Sequence, residues 1–365
     1  MKNRWSFCVG VLFLISVLSC QRDDVKGDLA DIPYNPVSYS LEVPSHFPRM
    51  VIPPDNPMTE QGVELGRHLF FDPILSVDST ISCSSCHDPA LSFTDGRSAS
   101  IGVGGRRGKR NSMSLVNIGF IKNGFFWDGR ANSLEAQALE PIEDPMEMSD
   151  TWPNVISKLK VHPTYPKMFR EAFGISDKDE ITKELAAKAI AQFERTLISK
   201  DAKYDLVQQG KAQFSDIELF GQKMFFDVDP DIPDAECSHC HNEPLSTSDD
   251  YFNNGMQFAS DLNAFGDRGR GMVTGAVFDN GKFKATTLRN IFYTAPYMHD
   301  GSLATFNQVM AHYVSGGQDS PNRDPLMNDI KKRNFTTFQI QALTAFIKTF
   351  EDESFNTNPK FQSPF

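Results

Sequence analysis

The pentapeptide Cys83-Ser84-Ser85-Cys86-His87 has a near copy at Cys237-Ser238-His239-Cys240-His241, 154 residues further along. C-x-x-C-H is the attachment signature of c-type haem: two thiols form thioethers with the porphyrin vinyls, and the adjacent histidine reaches the iron from the same side. With 6 cysteines and 8 histidines among 365 residues, one chance match is expected roughly 0.002 times, so a pair is no accident. Cys83, Cys86, Cys237 and Cys240 are therefore expected to attach two covalently bound haems, with His87 and His241 as the proximal iron ligands.

Zinc could use the same letters, but its ligand pairs usually lie closer together. A thioredoxin-like C-x-x-C needs no histidine and sits in a βαβ pattern absent here. The remaining cysteines fall in "MKNRWSFCVGVLFLISVLSC" at the N-terminus. Lys2 and Arg4 precede an apolar run from Phe7 to Leu18, too short for a comfortable bilayer span, so residues 1–19 read as a signal peptide containing Cys8. "VLSC" resembles a bacterial lipobox, whose cleavage leaves lipid-modified Cys20 at the mature N-terminus. The expected location is periplasm-facing, with membrane attachment through that lipid only, and covalent haem attachment in bacteria also takes place outside the cytoplasm. No thiol is left for a structural disulfide. Residues 20–57, polar and Pro-rich, read as a tether and lead-in.

The repeat extends beyond the pentapeptides. "LGRHLFFD" (65–72) precedes the first and "FGQKMFFD" (220–227) the second; downstream, "SLVNI" (114–118) leads to "WDGR" (127–130), and "TLRNI" (287–291) leads to "MHDGS" (298–302). Two units, 58–203 and 204–355, read as duplication of one haem domain, because a solenoid needs more copies. Segments 183–199 and 337–350 carry apolar residues at helical spacing and close the units, the first after "SDKDEIT" and the second after Asn334. Strand signals are weak. The expected fold is mainly α, with two cytochrome c-like haem domains related by internal duplication.

With 36 basic against 47 acidic residues the net charge is −11, which disfavours nucleic acid and suits a basic protein partner. The "GRRGKR" run (105–110) reads as a flexible basic loop, with neutralisation of haem propionates or nearby acidic surface as the alternative.

The order of "LGRHLFFD", "CSSCH", "FFWDGR", "CSHCH", "GKFKATTLRNI" and "APYMHDGSLATF" resembles the bacterial dihaem cytochrome c peroxidases, in particular the MauG-like subgroup, over residues 58–350. The resemblance implies an N-terminal haem that reacts with hydrogen peroxide. It also implies a C-terminal haem that takes electrons from a small donor protein, a cytochrome c or cupredoxin. It puts Gln137 and Glu147 at the family's distal glutamine and catalytic glutamate, and Trp127 at its bridging tryptophan. Glu147 would take a proton from bound peroxide and return it to the leaving oxygen, while Gln137 hydrogen-bonds the oxygens. A Ca2+ between the domains, at Asn111 and the carbonyls of Thr294 and Pro296, is implied too. A homodimer is also open.

One departure is informative. Many family peroxidases carry a histidine in "GHG" that ligates the first iron when oxidised; the segment here is "SIGVGGRRG", with Val103 at that place, and valine cannot coordinate iron. His46, His68 and Met113 remain as other sources of a sixth ligand. For the second haem, composition favours a thioether from Met298 or Met310. Counting from "HDG" in the family pattern reaches Tyr313, the MauG-like ligand, with His312 as a further neighbour. The implied function is reduction of H2O2 to water. The alternatives are a MauG-like oxidase working through a high-valent dihaem state on a protein or small substrate, and a non-catalytic dihaem electron carrier.

Overall fold

A computed structural model describes residues 27–365. The signal segment with Cys8, and Cys20 with its proposed lipid, lie outside the described residues. Among those described, thirteen α-helical segments and many short 3-10 turns carry the chain, and the one ladder is a two-stranded antiparallel pair. Its strands, β1 (Tyr251–Phe252) and β2 (Phe283–Lys284), pair Tyr251 with Lys284 and Phe252 with Phe283. The fold is helix-dominated, as expected.

Helix α1 (Glu60–Phe71) starts where Thr59 accepts a hydrogen bond from the Gly62 N–H at 3.0 Å, satisfying a free first-turn donor. It buries Leu65, Gly66, Leu69 and Phe70, one face at helical spacing. That face lies on α3 (Lys183–Glu194), which follows α2 (Leu134–Glu143) in the chain. In the second half, α4 (Asp216–Phe226) lies in the same way on α6 (Thr337–Lys348), with α5 (Phe306–Ser315) between them in sequence. Glycine decides both crossings. A Cβ on Gly66 would stand 1.9 Å from the Ala189 carbonyl oxygen, and one on Gly221 would stand 2.0 Å from that of Ala342.

The closing helices end sooner than their apolar spacing suggests, and both for one reason. Asn117 accepts from the Ser199 N–H at 2.9 Å and donates to the Ser199 carbonyl at 3.2 Å, which draws residues after Glu194 out of the helix. Asn290 clamps Asp352 likewise, at 2.6 and 3.2 Å. Asn117 and Asn290 both have left-handed backbones, with φ of 59° and 56°. The cap of α6 is Thr336 and not Asn334.

Buried apolar residues form a cluster from Leu29 to Leu197 and a second from Tyr204 to Phe350. Two boundaries differ from the sequence reading. Residues 27–57 were expected as tether and lead-in, yet Leu29 is buried in the first cluster, and Phe47 and Met50 form a small third one with Phe120, Ile198 and Leu245. Apolar side chains scattered among prolines give no periodic signal, but they still remove surface from water. At the other end, Phe355 and Phe361 belong to the first cluster, and Arg67 donates to the Gln362 and Pro359 carbonyls at 2.8 and 3.0 Å. The C-terminal segment thus straps the second half onto the first.

A fully buried ion pair stands inside the second half, where His46 from before the first unit reaches it. Arg289 donates to both oxygens of Asp205 at 2.7 Å, and His46 Nε2 lies 3.0 Å from Asp205 Oδ1. Neither Arg289 nor Asp205 side chain is exposed.

Candidate functional site

Each C-x-x-C-H folds into one tight turn: a 3-10 turn at Cys83–Ser85 and a single helical turn at Cys237–Cys240. Such a turn sets two sulfurs and the following imidazole around one opening. All four thiols are free of disulfide bonds. Burial pushes Cys86 up to about 11 and both Cys237 and Cys240 up to about 12, so none is the reactive thiolate of a redox C-x-x-C. His87 Nδ1 lies 2.9 Å from the Phe93 carbonyl oxygen, and His241 Nδ1 lies 3.2 Å from that of Ser246. These bonds put the proton on Nδ1 and leave Nε2 for a metal. No group of three or more His, Cys, Asp or Glu among the described residues could hold a metal by itself, which removes the zinc alternative. Free sulfurs paired with an oriented neutral imidazole at a cavity fit haem at both turns.

Cys86 and His87 open into a cavity also lined by Gln137, Pro141, Glu147, Glu194 and Trp127. Gln137 comes from α2, whose Leu134, Ala138 and Ile142 turn to the core while Gln137 and Pro141 face the cavity. Glu147 sits in the turn after α2, where Asp144 organises the backbone: its Oδ1 accepts from the Met146 N–H at 2.7 Å, and its carbonyl accepts from Glu147 at 3.0 Å. Burial foremost, then the Asp144 charge and least the Glu140 charge, raise the Glu147 carboxyl to about 7, against an opposing pull from Arg130. A carboxyl poised there can both take and return a proton near neutrality.

Val103 is buried, and its N–H donates to the Glu147 carbonyl at 2.8 Å. Of the other ligand sources, His46 is held by Asp205, His68 by the Glu64 carbonyl at 2.9 Å, and the Met113 backbone meets the His87 ring itself. The "GRRGKR" run differs from a flexible loop. Arg106 reaches the Pro145 carbonyl, Arg107 reaches Ser98, and Arg110 bridges Asp128 and Asp267 at 2.7 to 2.9 Å.

Cys237, Cys240 and His241 open into a second cavity lined by Met298, Met310 and Tyr313. Asn254 donates weakly to both leading candidates, at 3.5 Å to Met298 Sδ and 3.4 Å to Tyr313 Oη. Met298 carries φ of 73°, the same left-handed backbone as Phe126 (66°), its counterpart in the first repeat. His312 turns aside to the Asn254 carbonyl at 2.9 Å. Trp127 lines both cavities; its indole N–H donates to the Asn111 carbonyl at 2.8 Å, and its own carbonyl accepts from Lys284 at 2.9 Å. Asn111, Thr294 and Pro296 share the wall of the second cavity.

Two units, each with a C-x-x-C-H turn at a cavity and one tryptophan between them, can be compared with known proteins. A family model described as di-haem cytochrome c peroxidase matches residues 60–213. The methylamine utilization protein MauG of Methylorubrum extorquens is 34% identical over 301 residues, covering 82% of this chain and 81% of that one. This chain belongs to the di-haem cytochrome c peroxidase family. The cytochrome c551 peroxidase of Nitrosomonas europaea is 34% identical over 302 residues, covering 82% of each. A crystal structure of a MauG-like protein associated with microbial copper homeostasis superposes with a TM-score of 0.80 at 33% identity, covering 90% of this chain and 99% of that one.

As a MauG-like member of the di-haem cytochrome c peroxidase family, the chain is a dihaem oxidoreductase acting on peroxide. Three residues of its cavities carry no sequence signal. Glu194 is 4% exposed, its Oε2 has no hydrogen-bond partner, and burial raises it to about 8. Asn254 lies thirteen residues after His241, in no motif. Lys284 stands inside "GKFK", but its burial beside Asp249 and over the Tyr251 ring appears only in three dimensions.

Proposed function

We propose that the first cavity is the peroxide-reducing site and the second the electron-entry site of one duplicated, exported enzyme, in which H2O2, two protons and two electrons give two waters. The observation that carries this is the convergence of Gln137 and Glu147 on the cavity of His87, with Trp127 in the wall shared with the cavity of His241. Bound haem would supply an iron that binds peroxide at the first site and one that passes single electrons at the second.

The residues do the rest. His87 would hold the haem iron at the first site, and Val103 offers no atom that could coordinate it. Glu147 accepts the proton of the entering peroxide and returns it to the departing oxygen as water, while Gln137 holds the oxygens in line through its amide. Tyr313 closes the second site, where a phenolate favours the oxidised metal, and Trp127 shortens the path between the two. Electrons come from a small redox protein, a cytochrome c or cupredoxin. The location is periplasm-facing, with a lipid on Cys20, and no helix among the described residues is long and apolar enough to cross a membrane. Ca2+ belongs to the reading through Asn111 and the carbonyls of Thr294 and Pro296.

A MauG-like oxidase is the second reading, favoured by Val103 and by Tyr313 lining the second cavity. Steady-state turnover of a reduced small cytochrome with H2O2 separates them. Peroxide reduction predicts sustained oxidation of the donor, lost in Glu147→Gln; peroxide consumption without donor turnover supports the oxidase.

A further inference from the structure

The loop from Ser100 to Gly108 has no assigned task once Val103 is excluded as a ligand, yet the structure ties it to the segment that carries Glu147. The loop is a tight hairpin: Gly102 donates to the Arg106 carbonyl at 2.8 Å, and Gly108 donates to Ser100 at 2.9 Å. Three contacts then run to residues 145–149. Val103 N–H donates to the Glu147 carbonyl at 2.8 Å. Gly102 lies so close that a Cβ there would stand 2.2 Å from the Met146 carbonyl oxygen and 2.4 Å from that of Glu147. Arg106 Nη1 donates to the Pro145 carbonyl at 2.8 Å and to Ser149 Oγ at 3.0 Å. Ser149 presents that hydroxyl from a left-handed backbone, with φ of 53°.

A guanidinium is suited to this, because its fixed fork satisfies two acceptors at once. Pro145 and Ser149 flank Glu147 by two residues on each side, so the arginine grips the turn from both ends while Val103 and Gly102 hold its middle. We propose that Arg106 is a positioning residue: with Gly102 and Val103 it forms a brace that sets the Glu147 carboxyl in the peroxide cavity. The inference rests on Glu147 being the acid-base group of the proposed function.

The charged groups acting on Glu147 are Asp144 and Glu140, which raise it, and Arg130, which lowers it; burial outweighs all three. Arg106 acts through the place of the turn and not through its charge. Loosening the brace therefore exposes Glu147, and its midpoint falls toward the ordinary carboxylate range.

The test uses the dihaem protein, with the peroxide rate constant measured across pH by stopped flow and the first haem followed by EPR. Arg106→Ala is expected to lose up to about 10²-fold in that rate constant at neutral pH, the cost of misplacing a reacting group by about 1 Å. Its pH midpoint moves down, and the spin state of the first haem stays as in wild type. Arg106→Lys, which can still reach one acceptor, recovers part of the loss. Ser149→Ala, which removes one acceptor and leaves the arginine, moves both readouts the same way by less, and serves if Arg106→Ala does not load haem. Wild-type rate and midpoint in Arg106→Ala, or in Ser149→Ala where that variant stands in, overturn the brace. Glu147→Gln is run alongside: full activity there removes the functional reading itself, whereas lost activity with unchanged brace variants removes only this inference.

Discussion

Glu147 has a carboxyl raised to about 7, and the sign of its pH dependence follows. Below that midpoint it is protonated and cannot accept a proton from peroxide, so the rate constant for peroxide should rise with pH through a midpoint near 7. Replacing the carboxylate by Glu147→Gln should cost about 10²- to 10⁴-fold, the usual worth of a general acid-base group. Asp144→Asn keeps an oxygen for the Met146 N–H but removes the neighbouring negative charge, so its midpoint should lie below that of wild type in the same stopped-flow series. At the second site, Met298 and Tyr313 hang from one Asn254 amide. Tyr313→Phe should therefore let Met298 take its place, read as a new thioether-to-iron charge-transfer band in the oxidised spectrum. The two C-x-x-C-H turns were legible because their residues are contiguous. The axial choice was not, because two candidates distant in sequence reach the same amide, and a count of residues cannot rank them.

Among the elements, the two helix crossings carry the repeat more clearly than the helices do. Gly66 and Gly221 stand at the same place in "LGRHLFFD" and "FGQKMFFD", and each lets its helix touch a carbonyl of the closing helix. Gly66→Ala and Gly221→Ala should each destabilise by about 1–3 kcal/mol or more through overpacking, against the small gain expected for alanine in a free helix. Calorimetry of the two single variants checks this; a rise in melting temperature for either would deny the close approach. Apolar spacing located both closing helices but not their ends, since Asn117 and Asn290 act on them from more than sixty residues away. The run at 105–110 looked like a flexible basic loop, yet Arg106 fastens it and the hairpin at 100–108 that it shares. Its order comes from backbone acceptors at 145–149, which leave no mark in composition.

For the whole molecule, a buried pair inside the second half is where chain from outside it docks, through His46 on Asp205 and the Ser199 carbonyl on Arg289. Arg289 replaces what is Val116 in the first unit, and it meets Asp205 with both side chains out of water. Removing one partner leaves a buried charge, so Arg289→Met should cost about 3–5 kcal/mol, while pairing it with Asp205→Leu should recover much of that. Denaturant unfolding of the single and double variants measures the difference. The family, the helical class and the two haem turns could be read from the chain alone, and the strap formed by the C-terminal residues could not, because its anchors are main-chain oxygens at Pro359 and Gln362.

The central claim is that the two similar turns serve unlike sites, one left open beside Glu147 and one closed by Tyr313. EPR of the oxidised dihaem protein tests it in one spectrum. The account predicts one high-spin signal, altered on adding peroxide, together with one low-spin signal; two low-spin signals that peroxide leaves unchanged would contradict it.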